Sequence, residues 1–163
     1  MERKINLLFV DDEEQFLTSM TKQLEARDFN VIAADRGEKA LEIARSVPVD
    51  VALVDLKMPG INGEETLKAL KKEHQWLEIV ILTGHGSIDS AKECTRSGAY
   101  EYLQKPCRID DLLETLKEAY KKKVMNRNRI EENRMNEMLK LAQSDSPRKI
   151  LNRLKEIDKG GEA

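Results

Sequence analysis

Apolar residues fall along this chain in two alternating patterns. Short, mostly apolar runs occur at 5–10, 30–34, 49–55, 78–83 and 100–104. Short continuous runs of this kind predict strands buried on both faces of a parallel sheet. Between them, apolar positions recur every three or four residues, which predicts helices. Residues 13–28 carry Phe16, Leu17, Met20 and Leu24 in that spacing, and 37–47 carry Ala40, Leu41, Ile43 and Ala44. Residues 63–72 carry Leu67 and Leu70 behind Asn62-Gly63. Residues 87–97 open on Ser87, a side chain suited to cap a helix, and close before Gly98. A last helix starts near Ile109 with Leu112, Leu113 and Leu116. Strand and helix alternate five times, so the expected class is α/β, a doubly wound five-stranded parallel sheet with helices on both faces. Right-handed crossovers then gather the carboxyl ends of all five strands on one rim.

The last helix has no stop signal. Neither Gly nor Pro occurs between Leu116 and Pro147. A helix over 109–142 would span about 50 Å at ~1.5 Å per residue and would leave the domain. Its apolar register thins between Asn126 and Arg134, where only Ile130 is apolar, and returns at Met135, Met138, Leu139 and Ala142. Ser146-Pro147 has the form of a cap followed by proline at the first helical position. Ile150, Leu151, Leu154 and Ile157 then make a short amphipathic helix that ends before Gly160-Gly161. The expected division is a domain over 1–120 and a helical extension over 121–163 that matches no recognised output domain. Met125, Met135 and Met138 leave three readings open: an adaptable docking stripe, a dimer seam, or a loosely formed helix.

Charge sharpens that division. The formal net charge is −2, but residues 1–120 carry −7 and residues 121–163 carry +5. An acidic body with a basic tail points to two functional parts, with a solvated helix face as the plainer alternative. No apolar run approaches the ~20 residues of a membrane helix, which argues against a membrane partner. Ile5 to Val10 is too short for a secretion signal and runs directly into Asp11-Asp12-Glu13-Glu14, which argues against export. Cys94 and Cys107 are two lone thiols without metal-type spacing, and they fit a reducing, cytoplasmic setting.

The strand ends carry the chemistry. Asp55 closes the run from Val49 to Val54, and Pro59-Gly60 begins a loop just beyond it. Open α/β sheets bind their ligands at that carboxyl rim. Asp11 and Asp12 follow the first strand, Thr83 ends the fourth, and Lys105 follows the fifth. Two unit charges about 4 Å apart interact by roughly 4 kcal/mol at an effective dielectric of ~20. Three clustered carboxylates would therefore repel strongly unless a cation joined them. An all-oxygen set without His or Cys suits Mg²⁺, which keeps coordination positions for phosphate oxygens. Taken singly, Asp11 or Asp12 could instead cap the following helix, and Thr83 and Lys105 could be ordinary surface residues.

Taken together these segments resemble the receiver domain of bacterial two-component response regulators. The resemblance covers about residues 4–120. It rests on Val10-Asp11-Asp12-Glu13, on Asp55-Leu56-Lys57-Met58-Pro59-Gly60, on Leu82-Thr83-Gly84, and on Tyr102-Leu103-Gln104-Lys105-Pro106. It implies a flavodoxin-like strand order 2-1-3-4-5. Asp55 would be the phospho-acceptor, a carboxylate nucleophile forming an acyl phosphate. Asp12, Asp55 and the backbone carbonyl of Lys57 would bind Mg²⁺, with Asp11 acting mainly through a bound water. Thr83 and Lys105 would each contact a phosphoryl oxygen, and Pro106 would follow a cis peptide bond. Thr83 and Tyr102 would form the switch, although Tyr102 also reads as a half-buried strand tyrosine needing no special role. Lys57 and His85 occupy positions that would tune hydrolysis of the acyl phosphate, with His85 also readable as a plain loop residue. His74 and Trp76 sit at the opposite end of the sheet and read as packing or solvent contacts.

The function so implied is that of a response regulator in a two-component phosphorelay, a signalling protein rather than an enzyme with a separate substrate. Its donor would be a sensor histidine kinase or phosphotransfer protein, and its output a downstream protein target or a homodimer formed through the last receiver helix or the tail. A DNA-binding transcriptional regulator is the alternative, since Arg127, Arg129, Arg134 and Lys140 could meet DNA phosphates. Forty-three residues with one clear break are short for a helix-turn-helix domain with its linker, and no zinc-ligand set or sustained heptad appears. A haloacid-dehalogenase-type phosphatase wants a second Asp two residues after the nucleophile, where this chain has Lys57. No Gly-rich phosphate loop of an ATPase output domain is present. The chain could also be the amino-terminal part of a larger regulator, although Gly160-Gly161-Glu162-Ala163 reads like a natural frayed end.

Overall fold

The five apolar runs form five parallel strands: β1 Ile5–Val10, β2 Phe29–Ala34, β3 Val51–Val54, β4 Glu78–Thr83 and β5 Glu101–Gln104. The structure, a computed structural model, describes residues 3–144 and 147–159. The strands pair in the order β2-β1-β3-β4-β5, as the resemblance implied. Between them lie α1 Glu14–Glu25, α2 Gly37–Ser46, α3 Gly63–Glu73 and α4 Ile88–Arg96, followed by α5 Ile109–Ser144 and α6 Pro147–Lys159.

Successive residues of a strand point to opposite faces, so a run apolar at every position supplies two cores. Leu8, Val10, Ala52, Val54, Ile79 and Ile81 pack with Ala40, Ala44, Leu67, Leu70 and Cys94 from α2, α3 and α4. Leu7, Phe9, Val51, Leu53, Val80 and Leu82 pack with Met20 and Leu24 of α1 and with Leu112, Leu116 and Ala119 of α5. Burying one such aliphatic side chain stabilises the fold by roughly 1.5–3 kcal/mol.

Two element ends differ from the sequence expectation for local reasons. β3 begins at Val51 rather than Val49, because Pro48 precedes it and the Asp50 carboxylate accepts the Asn6 N–H at 2.8 Å. α1 stops at Glu25 rather than 28, since Asp28 adopts a left-handed φ of 71° that turns the chain into β2. Ser87 caps α4 as expected, in a reciprocal capping box with Ser90.

The amino ends of the strands carry two buried acids that the sequence did not single out. Asp50 meets Arg3 Nη2 at 3.0 Å and Lys123 Nζ at 3.4 Å, and Lys123 also donates to the Val49 carbonyl at 2.9 Å. Glu78 faces Lys122 at 3.6 Å. These pairs tie the receiver part of α5 to the end of the sheet away from the rim.

The chain divides into two compact units, Met1–Lys123 and Val124–Ala163, with the boundary inside α5. In the second unit Met125, Met135, Leu139 and Leu151 are exposed large apolar residues. Arg127 pairs with Glu131 at 3.4 Å and Arg153 with Glu156 at 3.9 Å. The expected Ser146 cap and the Gly160-Gly161 stop lie outside the described residues, as does the frayed end read into Gly160–Ala163. No described helix is long and apolar enough to cross a membrane.

Candidate functional site

Strand register builds the site. Val10 pairs with Val54, so the residues that follow them, Asp11 and Asp55, emerge side by side. The Asp55 N–H donates to the Val10 carbonyl at 2.9 Å, which holds the acid at the end of the ladder. On the other side of β3, Thr83 ends β4 and accepts the Lys105 N–H on its carbonyl at 2.8 Å. Asp11, Asp55, Thr83 and Lys105 thus stand in a row along one rim. Lys105 and Pro106 are joined by a cis peptide bond.

Carboxylate oxygens of Asp11, Asp12 and Asp55 lie within 4.8 Å of one another. Asp11 and Asp55 are buried and Asp12 is exposed. Asp55 Oδ1 accepts the Leu56 N–H at 2.8 Å, whereas Oδ2 is buried and accepts no hydrogen bond from any residue described. A buried acceptor without a donor costs about 1–3 kcal/mol. Lys105 Nζ donates to Asp11 Oδ2 at 2.7 Å and lies 3.7 Å from Glu13 Oε1 and 3.8 Å from Asp55 Oδ2. Asp11 Oδ1 also accepts the Glu13 N–H at 2.9 Å. Burial pushes the Asp11 carboxyl above its ordinary value, outweighing the lowering effect of Lys105 and the Glu13 N–H; the nearby Asp55 charge adds to the rise. Burial alone would lower Lys105, but its hydrogen bond to Asp11 and the charges of Asp11, Asp55 and Glu13 prevail and raise it. An exposed acid beside two buried ones, all oxygen donors, with one buried oxygen unpartnered, fits a hard divalent cation.

Around this pocket, Thr83 is fully buried and its Oγ1 accepts the His85 N–H at 3.1 Å. Tyr102 is half-buried, and its hydroxyl lies 3.1 Å from Ser90 Oγ. A Cβ on Gly86 would overlap the Tyr102 hydroxyl. Gly63, at the start of α3, faces the backbone behind the acid: a Cβ there would overlap the Asp55 carbonyl and reach within 2.5 Å of Leu56 Cα. Lys57 and His85 are exposed beside the rim. Glu13 is the amino-terminal cap residue of α1 and makes no side-chain cap bond, so neither Asp11 nor Asp12 is the cap. At the far end, His74 caps the carboxyl end of α3 and Trp76 is partly exposed.

Four neighbours of the site were not read from the sequence. Glu13 and Phe16 both approach Lys105, with the ammonium 4.0 Å from the Phe16 ring centroid. Phe16 carried only the helical spacing of a core residue. Ser90 stands three residues after Ser87, a spacing that signals a reciprocal cap but not a tyrosine partner. Gly63 was visible only as a helix start.

Together these features define a doubly wound α/β domain with an acidic pocket at the carboxyl rim of its sheet. Residues 7–117 match the response regulator receiver domain, and the chain belongs to that family. It is 36% identical over 116 residues to the transcriptional regulatory protein ZraR of Klebsiella oxytoca, covering 71% of this chain and 26% of the relative. A crystal structure of a CheY-like response regulator receiver domain protein from Methanospirillum hungatei JF-1 superposes with a TM-score of 0.73 at 28% identity, covering 76% of this chain and 98% of the other. A response regulator from Burkholderia pseudomallei, crystallised with a phosphorylated aspartic acid, a calcium ion and citrate, superposes with a TM-score of 0.67 at 28% identity, covering 78% and 75%. The chain spans about a quarter of the length of the curated relatives it matches. It therefore carries a receiver domain of two-component signalling.

Proposed function

We propose that this protein is a response regulator that accepts a phosphoryl group on Asp55 and uses it to switch a protein-interaction surface. The observation that carries this reading is the Asp55 Oδ2 atom, buried without a hydrogen bond from any described residue in a pocket shared with Asp11, Asp12 and Lys105. A free carboxylate oxygen there is a nucleophile held in place. It attacks the phosphorus of a donor phosphohistidine, the P–N bond breaks, and an acyl phosphate forms as the imidazole leaves. Asp12 and Asp55, with the Lys57 backbone carbonyl, would hold Mg²⁺, and Asp11 would act through a water. Bound there, the ion would neutralise the charge gathered between the acids and the phosphoryl oxygens. The phosphorylated aspartic acid and calcium ion of the Burkholderia relative support both assignments.

The phosphoryl group adds about −1.5 to −2 charge. Lys105 pairs with one of its oxygens and Thr83 donates its hydroxyl to another. The Thr83 side chain then leaves the His85 N–H, the following loop shifts, and Tyr102 turns inward as its contact with Ser90 breaks. The face made by α4, β5 and α5 is remodelled, a two-state change biased by differential contacts. Residues 1–120 act as the phospho-acceptor domain, and residues 121–163 as a basic helical extension that serves a protein target or a second copy. Arg127 and Arg153 already meet Glu131 at 3.4 Å and Glu156 at 3.9 Å, which leaves them less available to DNA phosphates and favours a protein partner. The setting proposed is cytoplasmic, and the only reactions proposed are Mg²⁺-dependent self-phosphorylation and self-dephosphorylation.

The test is incubation with acetyl phosphate and Mg²⁺, read by intact mass. The wild-type protein gains one phosphoryl group and Asp55→Asn gains none. Full labelling of Asp55→Asn would refute the assignment.

A further inference from the structure

Lys105 stands over an aromatic ring as well as beside its acids. Its ammonium lies 4.0 Å from the Phe16 ring centroid, and its side chain is only 13% exposed. The ring is fixed in turn by Phe9, a buried β1 residue two positions before Asp11, in an edge-to-face contact at 6.0 Å and 72°. The Phe9–Phe16 pair thus makes a rigid support rising from the core to the rim.

An ammonium has three N–H donors and pays heavily when buried without partners. Here it makes one short hydrogen bond, to Asp11 at 2.7 Å, while Glu13 and Asp55 stand at 3.7 and 3.8 Å. The face of an aromatic ring carries negative charge and attracts a cation, most strongly where water is excluded. A lysine stem is flexible and its head strongly hydrated. Without the ring, the head can swing toward the exposed Glu13 and into water.

We propose that Phe16 is a positioning residue for phosphoryl transfer: its ring holds the Lys105 ammonium at the rim, within a short step of Asp55, so that the lysine moves from Asp11 to the incoming phosphoryl group without leaving the pocket. This role rests on Asp55 being the acceptor. It assigns Phe16 no contact with the phosphoryl group itself.

The test replaces Phe16 in the full chain by mono-, di- and trifluorinated phenylalanines, by Leu and by Trp. Fluorine drains charge from the ring face while barely changing its size, so a packing role is blind to the series. Two quantities are read: the phosphorylation rate with acetyl phosphate at saturating Mg²⁺, and the NMR ring-current shift of the Lys105 ε-methylene protons. A small donor keeps the docking of a protein donor out of the measurement. The expected rate falls stepwise with fluorination by roughly three- to tenfold in all, F16L shares the lowest rate, and F16W equals or exceeds wild type. The ring-current shift is expected in every aromatic variant and absent in F16L. A flat rate across the fluorinated series, or an unshifted Lys105 in the wild type, overturns the role of Phe16. If the label reaches Asp55 in that case, only the Phe16 proposal falls. Label on a residue other than Asp55 overturns the acceptor assignment and this proposal together.

Discussion

The Lys105 ammonium lies 3.8 Å from Asp55 Oδ2, just beyond hydrogen-bond reach, while it is bonded to Asp11 Oδ2 at 2.7 Å. The difference matters chemically. A carboxylate oxygen that accepts a charged hydrogen bond gives up nucleophilic electron density to it. Asp55 Oδ2 is spared that bond but still feels the positive field. Under the proposed function Asp11 is the resting partner of the lysine, and phosphoryl transfer would require that pairing to loosen.

A divalent cation entering the acidic cluster would relieve carboxylate repulsion and stabilise the fold. At a hundredfold excess over its dissociation constant the expected gain is about 2.7 kcal/mol. Thermal unfolding of the wild-type protein should rise with Mg²⁺ and fall on chelation, and Asp12→Asn should lose most of that response. The effect should also weaken toward acid pH. Burial holds the Asp11 carboxyl above its usual 3.8, so it takes up a proton at a higher pH than an ordinary aspartate and then attracts the ion less. An Mg²⁺ response unchanged in Asp12→Asn would contradict the proposed ligand set.

Gly63→Ala sets two effects against each other. Alanine gains up to about 1 kcal/mol of helix propensity over glycine. Its Cβ would also overlap the Asp55 carbonyl, a backbone atom that cannot give way cheaply. Overpacking of this kind costs about 1–3 kcal/mol, so the clash should win. Urea unfolding should show net destabilisation, with slower phosphorylation because the Asp55 backbone is displaced. A variant as stable as wild type, or more so, would show that the strand end yields freely.

Gly86→Ala acts on the switch. The Tyr102 hydroxyl occupies the space that a Cβ at position 86 would need, and Ser90 helps hold it there. The substitution should displace the ring from this position and favour its inward arrangement. Binding of beryllofluoride, a phosphoryl mimic, should tighten in Gly86→Ala relative to wild type at equal Mg²⁺. Unchanged or weaker binding would separate the position of Tyr102 from activation.

Much of the fold was legible because β3 and β4 are buried at every position, which leaves an apolar run no other easy home. The length of α5 was legible from the absence of Gly and Pro. β5 was harder to bound, since its two end residues are exposed and its two central ones only half-buried at the edge of the sheet. The acids and the lysine of the pocket were legible because each stands directly after a strand, where topology alone brings them together. What stayed hidden depends on contacts between distant segments. Nothing local marks Phe16 as the support of Lys105, or Asp50 and Glu78 as buried partners of Lys123 and Lys122. Their spacing carries no trace of the pairing, which arises only when helices dock on the sheet.

Borohydride reduction of the phosphorylated protein, followed by peptide mapping, decides whether Asp55 carries the phosphoryl group. That reagent converts an aspartyl phosphate to homoserine and leaves a free aspartate intact. Homoserine is expected at position 55, in proportion to the phosphoryl group bound, and nowhere else. Stoichiometric phosphoryl uptake with aspartate still present at position 55 would contradict it.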